Sequence, residues 1–316
     1  MADDLLNLQS TPDARYIIAG WRRQWSDGGE ISSGLPRYLI DKLQARRIGH
    51  MGTDVAKLCY PFQVPGTHDT YRPRVSYRDG LPDTDMRRDN NFFDAGNGLI
   101  IFLGEEPWFR LDIYADAFFQ AVRQLGAPQT VAVEGYNGAA PPDMERSVSC
   151  IYSQASMKPA MDKLGVRYSN YGSQGRNGPT IGMALITVAH FQHPELEMFR
   201  LGAMAPMYPF LTSNNDPVGI SRDHRSFYDI MRRINSIFAL DIDLSELHRL
   251  GQAESQELMD TLEKIGGTNP TAQELIDRAR ADFNYVPFEP AVELDPALDN
   301  MLEDILRNAP GGEGNN

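Results

Sequence analysis

Cysteine is scarce: the 316 residues contain two, Cys59 and Cys150. Two thiols in a chain of this length suit reduced, structural cysteines in a cytoplasm and not a disulfide framework. Long apolar runs are missing too, since no stretch approaches the roughly 20 residues that a membrane-spanning helix needs. The opening MADDLLNLQS has neither the basic start nor the apolar centre of a secretion signal. We therefore expect a cytoplasmic protein without a membrane partner. Positive charge is the third shortage. Acids number 43 against 30 lysines and arginines, for a net charge of −13. The excess is localised: residues 1–240 hold 26 acids and 25 bases, whereas 241–306 hold 16 and 4. Neutralising phosphates needs a cationic face, so nucleic acid is excluded as the main partner. The acidic tail reads first as solvated helices that aid solubility.

Catalytic signatures are also absent. No Walker or dinucleotide fingerprint occurs, and there is no G-x-S-x-G elbow and no H-E-x-x-H. The six histidines (50, 68, 190, 193, 224 and 248) show no paired metal spacing and no cysteine beside them. His190 and His193 fall at a helix end, where a cation suits the dipole. Neither metal nor cofactor is expected.

What is present is a regular alternation. The most informative stretch is 98–110, GLIIFLGEEPWFR. A short apolar run closed by glycine has the signature of a buried parallel strand, and ligands bind beyond the carboxyl ends of such strands. Glu105 and Glu106 stand at that position, with Arg110 after them. They read either as acid/base or cation-binding groups whose pKa values part company, or as acidic residues placed by the dipole of the next helix. Neighbours in a strand point to opposite faces, so one of the two is expected in any given pocket.

Similar runs flank it. RYIIAG (15–20) reads as a strand, and a loop rich in Trp, Arg and Gly leads to a helix through Ile31, Leu35 and Leu39, with Ser26 or Asp27 as cap. That loop and helix start could hold an anion. Residues 61–91 are irregular, with one expected strand at 71–77. A helix follows through Leu111, Tyr114, Phe118, Val122 and Leu125, then strand QTVAVEG (129–135) ending in Glu134, and strand 148–152. Asn177-Gly178-Pro179-Thr180 leads into a helix apolar nearly all round. EMFRLGAMA (197–205) reads as the last core strand, and residues 213–240, with Asn-Asn-Asp-Pro at their start, as a helix. Beyond 243 the pattern is helical only, in pieces 243–265, 269–283 and 295–307. Leu244, Leu247, Leu250, Leu258, Leu262 and Ile265 form an apolar stripe there that must be buried somewhere. The expected organisation is a lead-in at 1–14, an α/β domain at 15–242, an acidic helical extension at 243–307 and a disordered tail at 308–316. The fold class is α/β, a three-layer sandwich around a mostly parallel sheet.

In their order and spacing the landmarks resemble the PAC2 family, named after proteasome assembly chaperone 2. They are Gly20-Trp21, Asp27-Gly28-Gly29, Arg72-Pro73, Gly104-Glu105-Glu106-Pro107 with Arg110, Gly178-Pro179-Thr180-Ile181-Gly182, and Pro206 with Tyr208 before Asp216-Pro217. The resemblance covers roughly residues 14–250. It implies a three-layer fold related in shape to nucleoside phosphorylases, oligomeric assembly and no established catalytic residue. Many members carry Pro-His-Thr-Arg after the strand ending in Glu134. Here the loop reads Pro142-Asp143-Met144-Glu145-Arg146, and a later Pro-His-Tyr is Pro206-Met207-Tyr208. Some chaperones of the family dock through a hydrophobic-Tyr-X terminus, whereas this chain ends Gly314-Asn315-Asn316. The reading is a non-enzymatic, homo-oligomeric binding or assembly protein with protein partners. The alternative is a small-ligand binder or enzyme of phosphorylase-like fold. The candidate crevice comprises Trp21, Asp27, Gly28, Glu105, Glu106, Arg110, Glu134, Arg146, Gly178 and Thr180.

Overall fold

The computed structural model describes residues 4–22, 25–64, 72–170, 172, 178–212 and 215–289. The expected helix at 295–307 and the tail at 308–316 lie outside them. Four strands form the centre of the main sheet: β2 (Tyr16–Arg22), β7 (Leu99–Glu105), β8 (Gln129–Gly138) and β11 (Glu197–Leu211). They run parallel in the spatial order β7, β2, β8, β11. Their apolar runs are continuous because helices cover both faces. Antiparallel strands widen the sheet on each side. β6 (Asn91–Asp94), β3 (Arg46–Met51) and β1 (Leu6–Leu8) follow one another outward from β7, while β9 (Val148–Tyr152) and β12 (Pro217–Gly219) pair with β11. β10 (Arg167–Tyr168) closes the far edge beside β9.

Side-chain alternation divides the core in two. Ile17, Ala19 and Trp21 face α3 (Leu111–Gln124) and α5 (Ile181–Gln192), together with the short α2 (Thr53–Leu58). Ile18 faces the other way, toward α1 (Ile31–Lys42) and α6 (His224–Phe238). The extension then packs α7 (Ser245–Thr268) on α6, with Leu247 inside the second core, and α8 (Pro270–Asp282) on α7. Leu258 and Leu262 meet Tyr208 and Val218 in a third cluster. The apolar stripe of the extension is thus covered by the chain's own body.

Several local expectations shift. Leu6–Leu8, inside the segment read as a lead-in, is an edge strand. Residues 71–77 do not supply a sheet strand in their described part; Tyr77–Arg78 forms a two-residue hairpin with Leu81–Pro82. Its turn at Asp79 and Gly80 has positive φ (49° and 83°), and its side chains are exposed, so nothing buries a longer pairing. The antiparallel partner of β7 is β6, joined to it by a turn with positive φ at Gly96, Asn97 and Gly98. Pro217 begins an edge strand and not a helix. Asp223 caps α6 instead, its carboxylate accepting from Ser226 N at 3.2 Å and Ser226 Oγ at 2.6 Å. Thr180 is the cap of α5, one residue after the expected proline start, and accepts from Met183 N at 3.2 Å.

Candidate functional site

Glu134 sits near the carboxyl end of β8 beneath the start of α5, and its side chain is fully buried. A helix N-terminus leaves backbone N–H groups unpaired and favours negative charge. Glu134 uses both properties: Oε1 accepts from Gly182 N at 2.9 Å, and Oε2 accepts from Thr180 Oγ1 at 2.7 Å. Arg200 of β11 completes the pairing by donating Nε to Oε2 at 2.6 Å. A Cβ on Gly182 would lie 2.7 Å from Oε1, so the close approach requires glycine there. The carboxylate is a fastening between sheet and helix.

Glu105, which ends β7, and Glu106, which follows it, part as alternation along an extended chain requires. Glu105 is buried against the side of the sheet that carries Asn90 and Tyr60. Its N–H donates to Asn90 Oδ1 at 2.8 Å and its carbonyl accepts from Tyr60 Oη at 2.6 Å. Arg88 Nη1 approaches its carboxylate at 3.4 Å, stacks over the Tyr60 ring and donates from Nη2 to Pro61 O at 2.8 Å. Glu106 is only half-buried, and no described residue hydrogen-bonds its carboxylate. It lines a cavity of about 270 Å³ with Phe109, Arg110, Thr180 and Ile181. Burial, reinforced by the charge on Glu134, raises its pKa to about 7. The other polar groups around that cavity are occupied. Thr180 donates to Glu134, and Arg110 grips Asp112 through Nε at 3.0 Å and Nη2 at 2.8 Å.

The remaining sequence candidates separate. Trp21 is fully buried on the α3 side, packed against Phe102 and Phe118, and donates Nε1 to Tyr114 Oη at 2.8 Å. Arg146 is fully buried across the sheet. Its Nε and Nη2 reach Asp223 at 2.8 and 3.2 Å, and Nη1 reaches the carbonyls of Pro142 and Met144 at 3.0 and 3.2 Å. Both side chains belong to the interior, because each finds its polar partners inside the fold. Asp27 accepts from Ser32 N and Ser33 N at 2.8 and 3.0 Å, which starts α1, and burial raises its pKa. Gly28 lies on the end of β8, where a Cβ would stand 2.6 Å from the Tyr136 carbonyl carbon. Gly135 returns the approach, a Cβ there falling 2.0 Å from Gly28 O. Of the sequence candidates, Glu106, Arg110 and Thr180 line the cavity of about 270 Å³, Gly178 and Thr180 line a second one beside it, and Glu134 lies fully buried beneath Thr180.

Sequence reasoning missed Arg200, Ser147, Ser149 and Tyr136, which line a cavity of about 550 Å³ beside Gly178 and Thr180. The available signal was the lone arginine inside the apolar run EMFRLGAMA, since a charge in a buried strand needs a partner. Among the described residues no three His, Cys, Asp or Glu side chains cluster so as to hold a metal ion. No helix among the described residues is long and apolar enough to cross a membrane.

No curated protein matches the sequence. Solved structures do share the fold. A proteasome-assembly chaperone homologue from Mycobacterium tuberculosis superposes with a TM-score of 0.59 at 16% identity, covering 78% of this chain and 94% of that one. A PAC2 family protein from Streptomyces avermitilis gives 0.57 at 17% identity, over 78% and 95%. An archaeal homolog of proteasome-assembly chaperone from Pyrococcus furiosus gives 0.53 at 16% identity, over 87% and 98%. At such identities the likeness concerns the fold. The sequence itself matches the model of the PAC2 family over residues 23–265, and the chain belongs to that family.

Proposed function

We propose that this chain is a non-enzymatic binding and assembly protein that works through protein contacts, beginning with a second copy of itself. The observation that carries the reading is the state of the charged groups at the strand ends. Glu105, Glu134 and Arg146 are buried and paired within the fold, and among the described residues Glu106 alone faces the smaller cavity as an uncommitted titratable group. A nucleophile activated by a neighbouring base needs that base within hydrogen-bond reach, and the charged and hydroxyl side chains beside Glu106, those of Arg110 and Thr180, are committed to Asp112 and Glu134. Around the same loop the surface is apolar: Phe109 is 54% and Phe62 61% exposed, with Leu58, Trp108 and Leu111 also exposed. Trp108 N and Phe109 N both donate to Cys59 O, at 2.8 and 3.0 Å, which ties the loop beside the segment carrying Leu58 and Phe62. Contiguous exposed apolar surface of this kind marks protein–protein contact sites. The names of related structures, a proteasome-assembly chaperone homologue among them, lend support by kinship.

The small-ligand or enzyme reading stands second, favoured by the pKa of about 7 at Glu106, where proton transfer at neutral pH is easiest. Affinity capture from cell extract discriminates between the two. Immobilised wild-type chain is expected to retain a protein partner or further copies of itself, and the Phe62→Asp/Phe109→Asp variant to lose them. Equal capture by both forms, or none by either, contradicts the assembly reading.

A further inference from the structure

The cavity over Arg200 combines features that the assembly reading leaves unexplained. Arg200 is 3% exposed and bonded on one side, Nε to Glu134 and Nη1 to Ser149 Oγ at 2.9 Å. Its Nη2 has no hydrogen-bond partner among the described residues. The guanidinium lies flat over Gly202, where a Cβ would fall 2.3 Å from its central carbon. Ser147 is 1% exposed, and its Oγ likewise has no hydrogen-bond partner among the described residues. An unmade hydrogen bond at a buried hydroxyl is costly, and a ligand is one way to complete it.

Charge defines the kind of ligand. Arg200 and Arg167 line the cavity and, among the described residues, no aspartate or glutamate does, in a chain that holds 43 acids. Glu134 balances Arg200 from behind, which leaves the positive charge of Arg167 at the rim uncompensated within the lining. The first turn of α5, whose N-terminus is already taken by Glu134, borders the same space through Thr180 and Met183. Tyr136 and Tyr168 supply flat walls, and a cavity of about 550 Å³ suits a ligand larger than a bare ion.

We propose that this cavity binds a small organic phosphate ester of the sugar-phosphate class. The free edge of Arg200 and the Ser147 hydroxyl hold the phosphate, Arg167 screens it from the rim, and the tyrosines flank the hydroxyl-bearing body. The site does not depend on oligomerisation, so it stands or falls apart from the assembly reading.

Isothermal titration of the full chain with ribose 5-phosphate, ribose and inorganic phosphate tests it. Ribose 5-phosphate is expected to bind at roughly millimolar affinity or tighter, with ribose and phosphate each weaker. Ser147→Ala removes a group with no partner in the fold, so its thermal midpoint should hold while affinity falls about ten-fold. Arg167→Ala should weaken binding and flatten its salt dependence. The proposal is overturned by absence of heat with ribose 5-phosphate, by equal affinity for ribose or for phosphate, or by unchanged binding in both well-folded variants.

Discussion

Arg146 exposes no surface and engages Asp223 through two nitrogens, while its own N–H donates to Asp229 Oδ2 at 2.9 Å. Truncating it leaves Asp223 buried without its cation, a situation that costs about 3–5 kcal/mol. Arg146→Ala should therefore lower unfolding stability by that amount in urea titrations, and a loss below about 1 kcal/mol would contradict the structural role. Glu106 behaves differently, because its pKa in the fold, about 7, stands above its ordinary value of 4.5. The folded state holds the proton more tightly, so stability is highest below the lower value and declines as pH climbs toward 7. Partial exposure screens the effect to roughly 1 kcal/mol. Glu106→Gln should flatten the decline when unfolding is compared at pH 4.5 and pH 8, and an unaltered pH profile would reject the assignment. Sequence placed Glu105, Glu106 and Glu134 at the strand ends. It could not tell which were committed, since Arg88 and Arg200, which hold Glu105 and Glu134, approach only when distant segments fold together.

At the level of elements, the join between β8 and α5 depends on a residue with no side chain. Gly182→Ala improves intrinsic helix propensity by up to about 1 kcal/mol, but its Cβ would meet Glu134 Oε1 at 2.7 Å and the Ala132 Cβ at 3.1 Å. Overpacking is expected to prevail, with a net loss of about 1–3 kcal/mol. Gly267 in α7 is the control: a Cβ there meets nothing within 4 Å, so Gly267→Ala should raise stability by about 0.5–1 kcal/mol. Chemical denaturation of the pair checks both signs. Helices with a clean apolar face, α3 above all, were legible from spacing because one face packs on the sheet. Elements set by tertiary partners were not. β6 is four residues long and exists because β7 offers an edge, and α6 starts at Asp223 because that carboxylate also meets Arg146.

Across the whole molecule, the acidic extension is fixed to the body by apolar and polar contacts together. Leu247 is fully buried, Glu246 accepts from Tyr38 Oη at 2.8 Å, Glu254 pairs with His224, and Arg280 reaches Asp143 at 2.7 Å. Farther along, Phe288 is 2% exposed between Arg232 and Arg233, and its carbonyl accepts from Arg232 Nη2 at 2.6 Å. Phe288→Ala should cost about 3–5 kcal/mol in calorimetric or urea unfolding, whereas a neutral result would mean that this segment does not dock. The sequence announced the stripe of leucines without saying what it covers, because periodicity identifies a face and not its partner.

The claim on which the functional reading depends is that the apolar surface around the β7–α3 loop holds protein chains together. Sedimentation equilibrium of the full chain and of Phe62→Asp/Phe109→Asp addresses it directly. The wild type is expected to sediment as a multiple of 35.4 kDa and the variant, equally folded by circular dichroism, at 35.4 kDa. A wild-type chain that stays at 35.4 kDa at every concentration, or a variant that assembles as the wild type does, contradicts it.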